Sequence, residues 1–144
     1  MFLLDECKGI TNFMVKQMVY IIDDNASVRH ALDRLIRSAD MEPISCSSVD
    51  EFLKLNLQTN DSCVVADVLV PGTSTFRLPE LLAERQLNIP VIYITASDTD
   101  ETRNQAKFSG GSAYFRKPVD DQALLDAISW LSTNHTGSYH QRVL

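Results

Sequence analysis

Asp67 closes an apolar run, Cys63 to Ala66 (CVVA), and stands four residues ahead of the strong turn signal Pro71-Gly72. A carboxylate at the rim of a hydrophobic sheet is costly unless something there requires it. Three other apolar runs end in the same manner. Asp23-Asp24 follows MVYII, Thr95-Ala96 closes PVIYIT, and Phe115-Arg116-Lys117-Pro118 ends the run from Ser112. Taken singly, each has a plain explanation: a helix cap, a turn residue, a β-former, a solvated surface charge. Four strands that each carry a chemically useful group at one end are poorly explained by coincidence.

The chemistry such a set fits can be named. Three carboxylates crowded together repel and raise one another's pKa, and a divalent cation reverses this. An oxygen-only site suits Mg²⁺ (or Mn²⁺), which keeps several waters and also binds phosphate. A carboxylate beside such an ion can act as a nucleophile toward phosphorus, forming an aspartyl phosphate. The Lys117 ammonium would neutralise one phosphoryl oxygen and the Thr95 hydroxyl would donate to another. Ala96 is small and leaves the site open.

Elements that could position these groups follow from periodicity. Strand-like runs are Met18–Ile22, a weaker Glu42–Ser45, Cys63–Ala66, Pro90–Thr95 and Ser112–Phe115. Between them, Val28, Leu32, Leu35, Ile36 and Ala39 define one helix face. Ser48-Val49-Asp50-Glu51 reads as a capping box opening a second helix, and Leu78, Leu81 and Leu82 mark a third. Asp98 with Glu101 is expected to cap a fourth helix, and Leu124, Leu125, Ile128 and Leu131 line a fifth. Strands and helices in alternation, with fully apolar strands, predict a parallel sheet covered on both faces. The predicted architecture is an α/β, flavodoxin-like, doubly wound (βα)5 sandwich with strand order 2-1-3-4-5. In such sheets ligands bind outside the carboxyl ends of the strands, near the reversal of strand order.

Bulk properties narrow the setting. With 144 residues the chain has room for one ordinary domain, and 44% hydrophobic residues supply a normal core. The net charge of -6, with Lys and Arg scattered singly, argues against direct nucleic-acid binding. Cys7, Cys46 and Cys63 are odd in number and lack metal-ligand spacing, which points to a reducing compartment and a core role for Cys63. The acidic start MFLLDECKG does not fit a signal peptide, and no window approaches a membrane span. The expected location is cytoplasmic, with no membrane partner.

In order, VYIIDDN, VVADVLVPG, VIYITAS and AYFRKPVD resemble the receiver domain of two-component response regulators (CheY-like superfamily). The resemblance runs from Met18 to Leu131. It divides the chain into an N-terminal extension (1–17), a receiver domain (18–132) and a polar tail or linker (133–144). It implies that Asp67 is the phosphoacceptor, and that Asp24 and Asp67 ligate Mg²⁺ together with the Leu69 backbone carbonyl. Asp23 would act largely through a metal-bound water. Thr95 becomes the switch hydroxyl, Lys117 the phosphate-binding lysine and Tyr114 the aromatic switch residue, with a cis peptide before Pro118. The phosphodonor is then a sensor histidine kinase or a phosphotransfer protein. On phosphorylation Thr95 is drawn inward and Tyr114 turns in from an outward rotamer. The face made by the fourth helix, fifth strand and fifth helix is remodelled for a partner or for homodimerisation.

Relatives commonly have Gly where Thr75 stands, so this loop must either shift or do without a positive φ. The fourth helix is polar, with Ala106 and Phe108 nearly its only apolar residues. In the N-terminal extension, Met14 and Met18 are alternative starts; Phe2, Leu3, Ile10, Phe13 and Met14 could instead form a short docking helix. Competing functions are an aspartate-nucleophile phosphohydrolase, a flavin-binding electron carrier and a phosphorylation-independent interaction domain. Leu69, where the hydrolase needs a second acid/base Asp, opposes the first. Asp23-Asp24-Asn25 would repel a flavin phosphate and opposes the second. The linker-like tail leaves open an N-terminal fragment of a helix-turn-helix transcription regulator.

Overall fold

The protein is described by a computed structural model of residues 16–134, without the side chains of 133 and 134. Expectations for Cys7, the extension up to residue 15 and the tail from residue 135 lie outside the described residues. The elements are β1 (Met18–Ile22), α1 (Ala26–Ser38), β2 (Glu42–Cys46), α2 (Val49–Leu53), β3 (Ser62–Asp67), a 3₁₀ turn (Thr75–Arg77), α3 (Leu78–Glu84), β4 (Val91–Thr95), α4 (Asp100–Ser109), β5 (Ala113–Arg116) and α5 (Asp121–Asn134). All strand pairs are parallel, in the order β2-β1-β3-β4-β5. The chain leaves β1 for the β2 edge and returns to the other side of β1 as β3. That reversal places the ends of β1 and β3 side by side.

The sheet is apolar because it is covered twice. Every residue of β3 is buried, and strand alternation divides its side chains between two cores. Val64 and Ala66 join Tyr20, Ile22, Tyr93, Phe52, Leu78 and Leu82 on the α2–α3–α4 side. Cys63 and Val65 join Val19, Ile21, Ile92, Ile94, Ile36, Leu124, Ile128 and Leu131 on the α1–α5 side. Pro43 sits in β2, an edge strand, where its missing N–H leaves no central ladder bond unmade.

Local chemistry accounts for the helix ends. Ser48 caps α2 by accepting from the Glu51 N–H, while the Glu51 carboxylate turns back to the Ser47 N–H. The expected cap on α4 is corrected. Thr99, not Asp98, accepts from the Thr102 N–H at 3.0 Å, because Asp98 is engaged elsewhere. α4 ends at Gly110 in the left-handed conformation, φ 95°. Gly111 is required for space: a Cβ there would stand 2.4 Å from the Tyr93 ring. At the other end of the domain, α5 runs to Asn134, into the segment read as tail.

The helices are unequally anchored. α1 buries Ile36 and packs Leu32, Leu35 and Ala39 against the second core. Each buried Leu or Ile contributes about 1.5–3 kcal/mol. α4 buries only Ala106, and its Phe108 is 86% exposed. Native-state amide exchange is therefore expected to be faster across α4 than across α1; the reverse order would refute this weak anchoring. Gly111→Ala should destabilise the domain by about 1–3 kcal/mol in chemical denaturation, since the Tyr93 ring must move to admit the methyl.

Candidate functional site

Sheet register brings the singled-out residues to one edge. Ile22 pairs with Ala66, so Asp23 and Asp67 extend from neighbouring strands. Asp67 pairs with Ile94, one residue before Thr95, and Thr95 pairs with Arg116, one residue before Lys117. The Lys117 N–H donates to the Thr95 carbonyl at 2.8 Å, extending the ladder past β5, and the following peptide bond to Pro118 is cis.

Carboxylate oxygens of Asp23, Asp24 and Asp67 lie within 4.8 Å of one another. Asp23 is 1% exposed, Asp67 is buried and Asp24 lies open to solvent. Lys117 Nζ bridges the two buried acids, 3.0 Å from Asp67 Oδ2 and 3.3 Å from Asp23 Oδ2. The remaining oxygens accept backbone N–H groups, Asn25 to Asp23 Oδ1 at 2.9 Å and Leu69 to Asp67 Oδ1 at 3.0 Å. Arg29 Nη1 donates to the Asp23 carbonyl at 2.7 Å and pins that turn to α1. Leu69 itself is exposed beside the acids.

The electrostatics follow from this crowding. Burial pushes the Asp23 carboxyl above its usual range; the Asn25 N–H opposes the shift and the Asp67 charge adds to it. Burial works against the Lys117 ammonium, but hydrogen bonds and charges from Asp67 and Asp23 outweigh it and raise its pKa. One ammonium thus stands against three carboxylates. An all-oxygen set short of positive charge and open on the Asp24 side fits a hard divalent cation.

Thr95 is fully buried, its Oγ1 accepting from the Ser97 N–H at 2.9 Å, and Ala96 is exposed at the mouth. Tyr114 departs from expectation. In place of an outward rotamer it is fully buried. The reason is Asp98, which accepts from the Tyr114 hydroxyl at 2.9 Å. Asp98 is also gripped by both arms of the Arg103 guanidinium, each at 2.8 Å, with Arg116 at 3.9 Å. Sequence reasoning missed this group by assigning Asp98 to the helix cap. The available signal was that Thr99 could cap equally well, with Arg103 one turn further along.

The Arg103 guanidinium, opposed by burial and assisted by Tyr114 and Arg116, lowers the Asp98 carboxyl to about 2. Its folded pKa lies below its unfolded one, so its stabilisation is complete above roughly pH 5 and fades as pH falls toward the folded value. Asp98→Asn should flatten the dependence of stability on pH between about 2 and 5. Denaturant titrations across that range that run parallel for both proteins would dismiss the interaction.

Comparison with known proteins agrees with this geometry. A family model described as the response regulator receiver domain matches residues 19–129. Nodulation protein W of Bradyrhizobium diazoefficiens is 33% identical over 120 residues, covering 83% of this chain and 53% of that protein. The transcriptional regulatory protein TdiR of Thauera aromatica is 32% identical over 111 residues, 77% of this chain and 49% of its own. The chain spans about half the length of these curated relatives. Among solved structures, the FixJ-N crystal structure superposes with a TM-score of 0.74 at 25% identity, over 82% of this chain and 94% of that one. Response regulator StyR gives 0.67 at 34%, over 79% and 58%. Parallel topology, an acidic strand-end cluster and a match over most of the described residues lead to one conclusion: the chain belongs to the response regulator receiver domains of two-component systems.

Proposed function

We propose that Asp67 is the phosphoacceptor and that the domain transfers a phosphoryl group to it from a histidine kinase or phosphotransfer protein. The observation that carries this reading is the Lys117 ammonium set between Asp23 and Asp67 at the strand ends. Asp67 forms the new oxygen–phosphorus bond as the phosphorus–nitrogen bond of a phosphohistidine breaks. The leaving imidazole takes the electron pair and a proton from solvent. Lys117, already 3.0 Å from Asp67 Oδ2, stays close to the transferred group and offsets its charge. A bound Mg²⁺ or Mn²⁺ would supply further neutralisation of phosphoryl oxygens and relieve carboxylate repulsion. Asp23, Asp24, Asp67 and the Leu69 carbonyl are the groups proposed to hold it. Thr95 donates its hydroxyl proton to the phosphoryl group, a role compatible with its oxygen accepting from the Ser97 N–H.

This is a self-phosphorylating and slowly self-dephosphorylating signalling module, and the reading includes a cytoplasmic setting. Among the described residues no helix is long and apolar enough to cross a membrane. The α4–β5–α5 face is the proposed output, toward a target, a second copy or an effector domain such as the longer relatives have room for. A phosphorylation-independent interaction domain is favoured by one observation, the inward Tyr114 already bonded to Asp98. On that reading Asp67→Asn leaves partner binding unchanged.

Incubation with acetyl phosphate and Mg²⁺, followed by intact mass, tests the main reading. Wild type should gain one phosphoryl group and Asp67→Asn none, while Lys117→Ala should label about a hundredfold more slowly. An unlabelled wild type, or an adduct that persists on Asp67→Asn, would overturn it.

A further inference from the structure

Thr75 stands where the family resemblance leads one to expect glycine, and the proposed phosphoryl transfer gives it no task. In the structure it is fully buried and begins the 3₁₀ turn, among residues without positive φ. Its hydroxyl donates to the backbone carbonyl of Asp67 at 2.9 Å. Its own carbonyl accepts from the Tyr93 hydroxyl at 3.3 Å. Tyr93 Oη is also 2.8 Å from Ser109 Oγ, and Ser109 Oγ lies 2.8 Å from the Ala106 carbonyl, in the last turn of α4. A hydroxyl path, buried at Thr75 and Tyr93 and part-buried at Ser109, therefore runs from the carbonyl of Asp67 to α4.

Several neighbouring residues are fitted to this path. Tyr93 lies between Ile92 and Ile94 in a fully buried strand, where an aliphatic side chain would fill the core without a hydroxyl to satisfy. Gly111 yields the space its ring occupies, and Phe76, next to Thr75, packs against that ring with centroids 5.1 Å apart. The path also has one proton fewer than it has contacts. Tyr93 and Ser109 carry one hydroxyl proton each, and three contacts compete for them. With Ser109 donating to Tyr93 and Tyr93 to Thr75, the loop is tied to α4. With Ser109 donating to Ala106 and Tyr93 to Ser109, the Thr75 carbonyl is released.

We propose that Thr75 is a positioning residue for Asp67, and that Tyr93 and Ser109 couple its position to the last turn of α4. The proposal rests on the phosphoacceptor reading of Asp67 and deepens it. Thr75 touches none of the reacting groups; its hydroxyl holds the Asp67 main chain so that the carboxylate faces Asp24 and Lys117. This coupling runs beside Thr95 and Tyr114 and requires no rotation of an aromatic side chain.

The test titrates Mg²⁺ alone into the protein, followed by amide NMR shifts of Val68 and Leu69, with thermal unfolding as the control for folding. Thr75→Val keeps the shape and removes the donor, and should weaken Mg²⁺ binding about tenfold. Thr75→Ser should restore it to within about twofold, which a purely volumetric role would not produce. Tyr93→Phe should weaken binding about threefold, whereas Ser109→Ala, which leaves the Tyr93 proton to Thr75, should bind at least as tightly as wild type. Wild-type affinity in a folded Thr75→Val, or failure of serine to rescue, overturns the proposal. If Thr75→Val does not fold, Tyr93→Phe decides, and wild-type affinity there overturns it equally. A wild type that neither binds Mg²⁺ nor labels with acetyl phosphate defeats the underlying reading. A wild type that does both, alongside an equally competent Thr75→Val, defeats this inference alone.

Discussion

Two buried carboxylates held against a single ammonium at the end of an apolar sheet form the constraint around which this domain is organised. Asp23 and Asp67 are removed from water with their strands, and in that environment an unpartnered charge is strongly unfavourable. Lys117 makes the arrangement tolerable but leaves it short of positive charge. Nothing flexible could hold such a cluster. The rigid support is the core itself: β1, β3 and β4 are buried almost throughout, and their parallel register decides which side chains stand together at the rim.

Strand alternation then divides the site between two faces. Asp23, Asp67 and Lys117 continue the parity of Ile21, Val65 and Phe115, which belong to the α1–α5 core. Thr95 continues the parity of Val91 and Tyr93, and together with Tyr114 it faces the side covered by α2, α3 and α4. Asp23, Asp67 and Lys117 thus sit toward the α1–α5 side, and Thr95 and Tyr114 toward the side that includes α4, the helix that buries only Ala106. A displacement of Thr95 or of the loop after Asp67 meets little packing resistance in α4. The separation of the two sets of side chains is a consequence of the pleat.

Asp98 decides how Tyr114 and α4 are held. By drawing Tyr114, Arg103 and Arg116 around one carboxylate, it joins the β4–α4 loop, α4 and β5 through charge-assisted contacts where few apolar ones exist. The inward tyrosine is satisfied by this group without any event at Asp67. On the proposed reading, a signal leaving Asp67 would move α4 as a body rather than rotate Tyr114, whose hydroxyl is already bonded to Asp98.

Much of this was legible in the chain. Apolar runs separated by helical periodicity dictate a doubly wound parallel sheet, because strands apolar on both faces must be covered twice. Four of these runs end in a charge or hydroxyl, and in such a sheet the strand ends converge, so Asp23, Asp24, Asp67, Thr95 and Lys117 could be grouped from the sequence. Side-chain partnership was not legible. Asp98 satisfied a capping pattern as well as it satisfied Arg103, and its bond to Tyr114 exists only because β5 and the β4–α4 loop come together in the fold. Thr75 and Tyr93 are eighteen residues apart and belong to no shared motif, yet a carbonyl and a phenol meet in the core. Residue type and period determine which surfaces must be buried, since those depend on local chemistry summed along the chain. Which polar groups then pair depends on distances across the core, and these exist only once the elements have docked.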